Sequence, residues 1–230
     1  MIKVILWDVD ATLLDFKKSE SLALKKTFAH FGLENCTDSI TEQYSAINQR
    51  YWQRLEQGEL TKEQVLVGRF EEFFAVRGYD AHAQSFCEVF ESSLPDCVEF
   101  IGNAKAVIEA LSKNYHQYAV TNGARAVQRK KLAVSGIADI FDGVFISDEV
   151  GYEKPSVNFF KHVLANIPSV DTNEILIVGD SLTSDIKGGN NMGFKTCWFN
   201  PQSLPLKDGY TVNYQIKNAE DIFDILKFEG

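Results

Sequence analysis

The sequence is poor in the residues that mark a stapled, zinc-bound or membrane-embedded protein. Its four cysteines, Cys36, Cys87, Cys97 and Cys197, show no C-x-x-C spacing and no Cys/His pairing. That suggests neither a disulfide framework nor a zinc site and makes buried free thiols the expectation. With 5 Pro and 15 Gly among 230 residues, 45% of them hydrophobic, the chain is not disordered. No uncharged apolar run approaches the ~20 residues of a membrane span, and the N-terminus reaches Asp8 too soon for a signal peptide. A cytoplasmic protein is expected. Basic residues are in deficit, 23 Lys and Arg against 32 Asp and Glu for a net charge of −9. Neither a nucleic-acid polymer nor an anionic membrane is therefore an expected partner, and any small anionic substrate needs local compensation. Also absent are G-x-x-x-x-G-K-[ST] and a G-x-G-x-x-G after a strand, against a nucleoside-triphosphate engine or a dinucleotide enzyme. His30, His82, His116 and His162 are scattered, with no ligand spacing and no Ser or Cys motif, and read as surface or packing residues.

What the chain does contain is an alternation of short apolar runs with helical segments. Residues 2–7 break at Asp8 after a β-branched run too short for a helix, and Gln117–Thr121, Val144–Ser147, Ile175–Gly179 and Thr196–Phe199 share that look. Helical patterns at Asn103–Asn114, Arg125–Ser135, Val157–Asn166 and Thr183–Met192 lie among them. The alternation predicts a three-layer α/β fold, a parallel Rossmann-like sheet with crossover helices. About a hundred residues separate the first strand from the second, against the ~30 of an ordinary βαβ unit. Within them Ser19–Phe31, Thr41–Gln57, Thr61–Arg77 and Ala81–Ser92 carry three- and four-residue apolar spacing. An all-α insertion is expected over residues 16–97, with the core made of 1–15 and 98–230.

Four strand ends carry candidate chemistry. Alternation sends Asp8 and Asp10 of D-x-D-x-T to the same side, where two carboxylates at the carboxyl edge of a sheet can hold a divalent cation and divide labour as nucleophile and proton donor. An Asx-type turn is the plain alternative. Thr121-Asn122-Gly123 offers a hydroxyl, an amide and approachable backbone N–H groups, a phosphate cradle opening a helix whose N-terminus favours anions. Asn-Gly is equally a hairpin signal, but no returning strand follows it. Lys154, between Gly151 and Pro155, presents a cation suited to a phosphoryl group, or is a solvated loop lysine. Asp180 and Asp185 suit magnesium, or serve as turn and helix-cap residues.

Together, D-x-D-x-T, T-N, K-P and G-D-x-x-x-x-D in this order, with an insertion after the first, resemble the haloacid dehalogenase-like superfamily of helical-capped members over essentially the whole chain. The resemblance implies a phosphomonoesterase. Asp8 would form an aspartyl-phosphate, Asp10 would protonate the leaving alkoxide and then deprotonate water, and Thr121 and Lys154 would hold phosphoryl oxygens. Mg²⁺ would be ligated by Asp8, Asp180 and the Asp10 backbone carbonyl, with Asp185 as ligand or support. Tyr44–Asn48, Gly68–Glu71, Ile146–Gly151 and Thr196–Asn200 further resemble YjjG-type pyrimidine 5′-nucleotidases, which implies small nucleoside 5′-monophosphates as substrates. Ala11 departs from that group's usual acidic residue, with an effect expected on loop motion and little on chemistry. Asn48 and Trp52 on one helix, and Arg69 and Phe70 on the next, are candidate base-recognition residues, with core packing the alternative for Trp52 and Phe70. A sugar-phosphate phosphatase or phosphomutase, and a silent phospholigand-binding relative, are the competing functions. A monomer or weak homo-oligomer is expected.

Overall fold

The computed structural model describes residues 1–228. Two compact units divide the chain, Phe16–Val98 on the one hand and Met1–Asp15 with the chain from Glu99 onward on the other.

The inserted unit contains four α-helices, α1 (Phe16–His30), α2 (Asp38–Glu56), α3 (Lys62–Arg77) and α4 (Ala83–Ser93), followed by a 3-10 turn at Leu94–Cys97. Helix α2 starts three residues before its apolar spacing predicts, because the Thr37 hydroxyl accepts the Ile40 N–H and caps it. A capping box between Thr61 and Gln64 starts α3. The apolar stripes meet in an aromatic core. Tyr44 and Phe70 stack at 5.0 Å, Phe70 meets Phe90 edge-on at 5.3 Å, and Phe86 meets Phe74 edge-on at 5.0 Å. The Ser19 hydroxyl donates to Cys97 O at 2.8 Å and ties the end of the unit back to α1.

The larger unit contains a six-stranded sheet, β1 (Val4–Trp7), β2 (His116–Thr121), β3 (Gly143–Ile146), β4 (Ile175–Gly179), β5 (Lys195–Phe199) and β6 (Tyr214–Ile216), in the order β3-β2-β1-β4-β5-β6. Every pairing is parallel, with Leu6 opposite Tyr118 on one side and Ile177 on the other. Helices α5 (Ala104–Leu111), α6 (Arg125–Ser135), α7 (Ser147–Val150), α8 (Val157–Ala165), α9 (Lys187–Met192) and α10 (Ile222–Phe228) accompany it. Alternate residues Val4, Leu6, Val120, Ile175 and Ile177 bury one face under Phe159, Phe160 and Val163 of α8. On the other face the Trp7 indole donates to Gln117 Oε1, and Gln117 Nε2 donates to Ile108 O of α5. The result is the three-layer α/β architecture. Burying each phenylalanine of α8 contributes roughly 1.5–3 kcal/mol.

Three features depart from the sequence expectation. The third strand stops at Ile146, and Ser147–Val150 turns as a short helix. The segment expected as one helix over Thr183–Met192 is a π-helical turn, Leu182–Ile186, running into α9. Strand β6 is three residues long and only half buried, too short to show alternation. Among the described residues no helix is long and apolar enough to cross a membrane.

Candidate active site

Strand order reverses at β1, which lies between β2 and β4. Outside the carboxyl ends at such a reversal, loops leave in opposite directions and open a crevice. The four strand-end motifs arrive there from β1, β2, β4 and the segment after β3.

Asp8 continues the sheet by donating its N–H to Val178 O at 2.9 Å. Its carboxylate is nearly buried and takes Lys154 Nζ on Oδ1 at 2.7 Å and the Thr12 hydroxyl on Oδ2 at 2.9 Å. Thr12 Oγ1 in turn accepts the Asp180 N–H at 3.1 Å, so one hydroxyl ties the first loop to the fourth. The loop closes tightly, with the Leu13 and Leu14 N–H groups both on Val9 O and Ala11 in the left-handed region at φ 66°. A side chain at that φ costs of order 1 kcal/mol over glycine. An acidic residue would carry the same Cβ, so the Ala11 departure changes the charge of the loop and not this cost.

Lys154 is 1% exposed, and its ammonium meets Asp185 Oδ1 at 2.6 Å, Asp8 Oδ1 at 2.7 Å and Val120 O at 2.8 Å. The reading of a solvated loop lysine is thereby overturned. Burial alone would lower its pKa, but the Asp185 and Asp8 carboxylates hold it above the usual lysine range. Burial pushes the Asp8 carboxyl up to about 7, against the pull of Lys154 and with reinforcement from Asp185 and Asp10.

At the end of β4 the Ser181 hydroxyl accepts the Ser184 N–H, and Asp185 Oδ2 accepts the Ser181 N–H at 3.2 Å. Asp185 therefore both braces this turn and faces Lys154. A Cβ on Gly179 would fall 2.2 Å from Asp185 Cγ, so only glycine leaves room for that carboxylate. One oxygen from each of Asp8, Asp180 and Asp185 lies within 4.8 Å of the others. A cluster of hard oxygen donors, only one of whose acids is half exposed, fits a divalent cation such as Mg²⁺. The Asp10 carboxylate is not in this trio.

The β2 end is built differently from the expectation. Thr121 is buried, with its hydroxyl accepting the Gly123 N–H at 3.3 Å. The Asn122 side chain does not point an amide at a ligand. Its Oδ1 accepts the Lys154 N–H at 2.8 Å and its Nδ2 donates to Lys154 O at 2.9 Å, which fixes the backbone that carries the buried lysine. The first N–H of α6, on Arg125, is met by Asp148 Oδ2 at 2.8 Å, so this helix start holds a protein carboxylate. Thr121 and the backbone around Asn122 and Gly123 remain as the candidate cradle.

Asp10 is half-exposed, and sequence reasoning missed its partners. Lys131 Nζ meets Oδ1 and Oδ2 at 2.8 and 2.9 Å, and Gln128 Nε2 donates to Oδ2 at 2.6 Å. The signal available was their three-residue spacing directly after the cradle. The run Arg129-Lys130-Lys131 disguised it as an ordinary basic surface.

The candidate residues of the inserted unit fare differently. Phe70 is fully buried in the aromatic core, so the expectation that it stacks on a base is corrected: its faces are already covered by Tyr44 and its neighbours. Asn48 and Arg69 are also buried and face each other, Arg69 Nη1 donating to Asn48 Oδ1 at 2.9 Å and Nη2 to Glu91 Oε1 at 2.7 Å. Asn48 Nδ2 donates to Glu20 Oε1 at 2.6 Å, and Ser45 donates to the same carboxylate. The polar atoms expected to read a base thus serve an internal network. Trp52 is half-buried.

Residues 5–199 match the family model of the haloacid dehalogenase-like hydrolases. YfnB, a HAD-hydrolase of Bacillus subtilis, is 35% identical over 99% of this chain and 97% of its own. Its magnesium-bound crystal structure superposes with a TM-score of 0.93, covering 98% of each chain. The resemblance to pyrimidine nucleotidases is borne out as well. Pyrimidine 5′-nucleotidase PynA of Streptococcus pneumoniae is 31% identical over 97% of this chain and 94% of its own. Pyrimidine 5′-nucleotidase YjjG of Escherichia coli is 28% identical over 96% of both chains. With the strand-end acids gathered at the sheet reversal and a family match over most of its length, the chain belongs to the haloacid dehalogenase-like hydrolases.

Proposed function

We propose that this hydrolase is a Mg²⁺-dependent phosphomonoesterase acting on small phosphorylated metabolites, with pyrimidine nucleoside 5′-monophosphates the preferred class. The observation that carries this reading is the convergence of Asp8, Asp180 and Asp185, two of them, Asp8 and Asp185, on Lys154, with a second acid, Asp10, two residues beyond the first. The names of PynA and YjjG support the choice of substrate.

An oxygen of Asp8 attacks phosphorus, the ester bond breaks, and the electron pair stays on the leaving oxygen, which takes a proton from Asp10. Asp10 then takes a proton from water as that water attacks the aspartyl-phosphate, releasing inorganic phosphate and restoring Asp8. Lys154, the Thr121 hydroxyl and the backbone N–H groups near Gly123 hold the phosphoryl oxygens, while Asn122 keeps Lys154 in place. Asp8, Asp180, Asp185 and the Asp10 backbone carbonyl would hold Mg²⁺, which would supply the positive charge that lets a protein of net charge −9 accept a dianion. Residues 1–15 and 98–230 form the catalytic domain on this reading, and leaving-group preference is assigned to Trp52, one of the half-exposed aromatics of the helical unit.

Phosphate release from a panel of nucleoside 5′-monophosphates, sugar phosphates and p-nitrophenyl phosphate tests it, with Mg²⁺ and with EDTA. Metal-dependent release with pyrimidine preference, lost in Asp8→Asn, is expected. Undiminished activity in Asp8→Asn removes the nucleophile assignment, and undiminished activity in EDTA removes the cation.

A further inference from the structure

Asp10 is held by two side chains that the proposed chemistry does not otherwise use. Lys131 and Gln128 stand three apart on α6, hence on one helical face, and each is 1% exposed. Three N–H···O contacts of 2.6–2.9 Å occupy both oxygens of the Asp10 carboxylate. A lysine taken this far out of water is costly unless an acid meets it. The route of the amide is also prepared. A Cβ on Gly123 would lie 2.1 Å from Gln128 Nε2 and 2.6 Å from Cδ and Cγ, so the bare backbone there makes room for Gln128 to pass. On the other side the turn fixes the Asp10 backbone, with the Ala11 N–H on Leu14 O at 2.8 Å and a bridge between Asp10 and Leu14. Backbone and carboxylate are thus immobilised separately, from two distant stretches of sequence.

We propose that Gln128 and Lys131 are positioning residues for proton transfer, a clamp on α6 that aims the Asp10 carboxylate at the ester oxygen. The inference rests on the phosphomonoesterase reading and deepens it, because it assigns to the clamp the enzyme's capacity for poor leaving groups such as the 5′-alkoxide of a nucleoside. When the phosphorus–oxygen ester bond breaks, an alkoxide needs the proton that Asp10 delivers. A nitrophenolate leaves as a stable anion without it. A misaimed Asp10 therefore damages the first kind of substrate and spares the second.

The experiment compares kcat/KM, which reports the steps through aspartyl-phosphate formation, over a series of phosphate monoesters from p-nitrophenyl phosphate to alkyl phosphates and uridine 5′-monophosphate. Wild type, Gln128→Leu, Lys131→Met and the exposed neighbour Lys130→Met are measured with Mg²⁺. In both clamp variants the alkyl esters are expected to lose about 100-fold and p-nitrophenyl phosphate to stay within about threefold, with Lys130→Met unchanged throughout. The plot of log kcat/KM against leaving-group pKa then steepens, which a merely architectural ion pair would not cause. An equal loss across the series, or none, overturns the clamp. Should Lys131→Met not fold, Gln128→Leu, which removes one uncharged donor, decides alone by the same slope. A wild-type enzyme that hydrolyses no member of the series overturns the phosphomonoesterase reading and the clamp with it. An active wild type, a silent Asp8→Asn and clamp variants parallel to wild type overturn the clamp only.

Discussion

Replacing Arg69 by Met distinguishes a residue that holds the helical unit together from one that reads substrate. The substitution removes the contacts to Asn48 Oδ1 at 2.9 Å, Glu91 Oε1 at 2.7 Å and Leu66 O at 3.2 Å, together with the guanidinium's position over the Phe70 and Phe90 rings at 5.0 and 5.3 Å. Breaking a buried ion pair from one side costs about 3–5 kcal/mol. The Glu91 side chain keeps 18% of its exposure and can turn to water, and Met refills most of the volume, which places the expected loss near 3 kcal/mol. Against a total stability of roughly 5–15 kcal/mol this is a large fraction. The loss also depends on pH. Burial raises the Glu20 carboxyl above its usual 4.5, while Ser45, Asn48 and Arg69 pull it down. A raised acid means that the folded chain keeps a proton the unfolded chain has lost, so stability falls as pH climbs through that interval. Without Arg69 the interval extends upward, and the deficit is larger at pH 8 than at pH 5. Urea unfolding followed by far-ultraviolet circular dichroism at both pH values measures it, and hydrogen exchange of α2 and α3 amides localises it. A variant within about 1 kcal/mol of wild type at pH 8 would falsify the structural role. Unchanged stability with lost nucleotide affinity would return Arg69 to the substrate.

Other outcomes follow from the same geometry. Glu20→Gln keeps an acceptor for Asn48 and should flatten the pH dependence of stability that the buried acid imposes, read by melting curves from pH 5 to 8. Lys154→Met strands the Asp8 and Asp185 carboxylates and should cost about 3–5 kcal/mol at pH 8. The cost should shrink as pH falls and Asp8, raised further once the pull of Lys154 is gone, takes up a proton, and in part on adding Mg²⁺; a melting temperature equal to wild type at pH 8 in EDTA would contradict it. Gly179→Ala drives a methyl into Asp185 and should weaken divalent-cation binding about 10–100-fold without removing a charge, measured by calorimetric Mg²⁺ titration. Trp52→Ala should raise KM for pyrimidine nucleotides and leave p-nitrophenyl phosphate turnover unchanged; parallel losses on both substrates would make Trp52 a packing residue.

Much of this protein could be read from local pattern, because the signals that carried it are local. Asp8 ends a buried strand and Asp180 ends another, and the apolar spacing of the helices survives whatever they later pack against. The α/β alternation and the inserted helices followed from periodicity alone, while β6 did not, since three residues give no period. Residue type without context misled where one chemistry serves two ends. Asn48, Arg69 and Phe70 have the groups to read a base, and the fold uses them to fill and neutralise the inside of a helix bundle.

Chain order alone determined which acids would reach the carboxyl edge of the sheet, because Asp8 and Asp180 sit directly after their own strands and Asp10 and Asp185 follow within a few residues. Tertiary structure decided their partners: Lys154 on Asp8 across 146 positions, Thr12 on Asp180 across 168, and Gln128 and Lys131 on Asp10 across 118 and 121. Of these, only the three-residue spacing of Gln128 and Lys131 left a mark in the sequence, and it named no partner. The pairs exist only once β1 is flanked by β2 and β4, which brings loops from remote stretches within hydrogen-bonding distance, and burial of Lys154 and Lys131 then makes the acids beside them necessary.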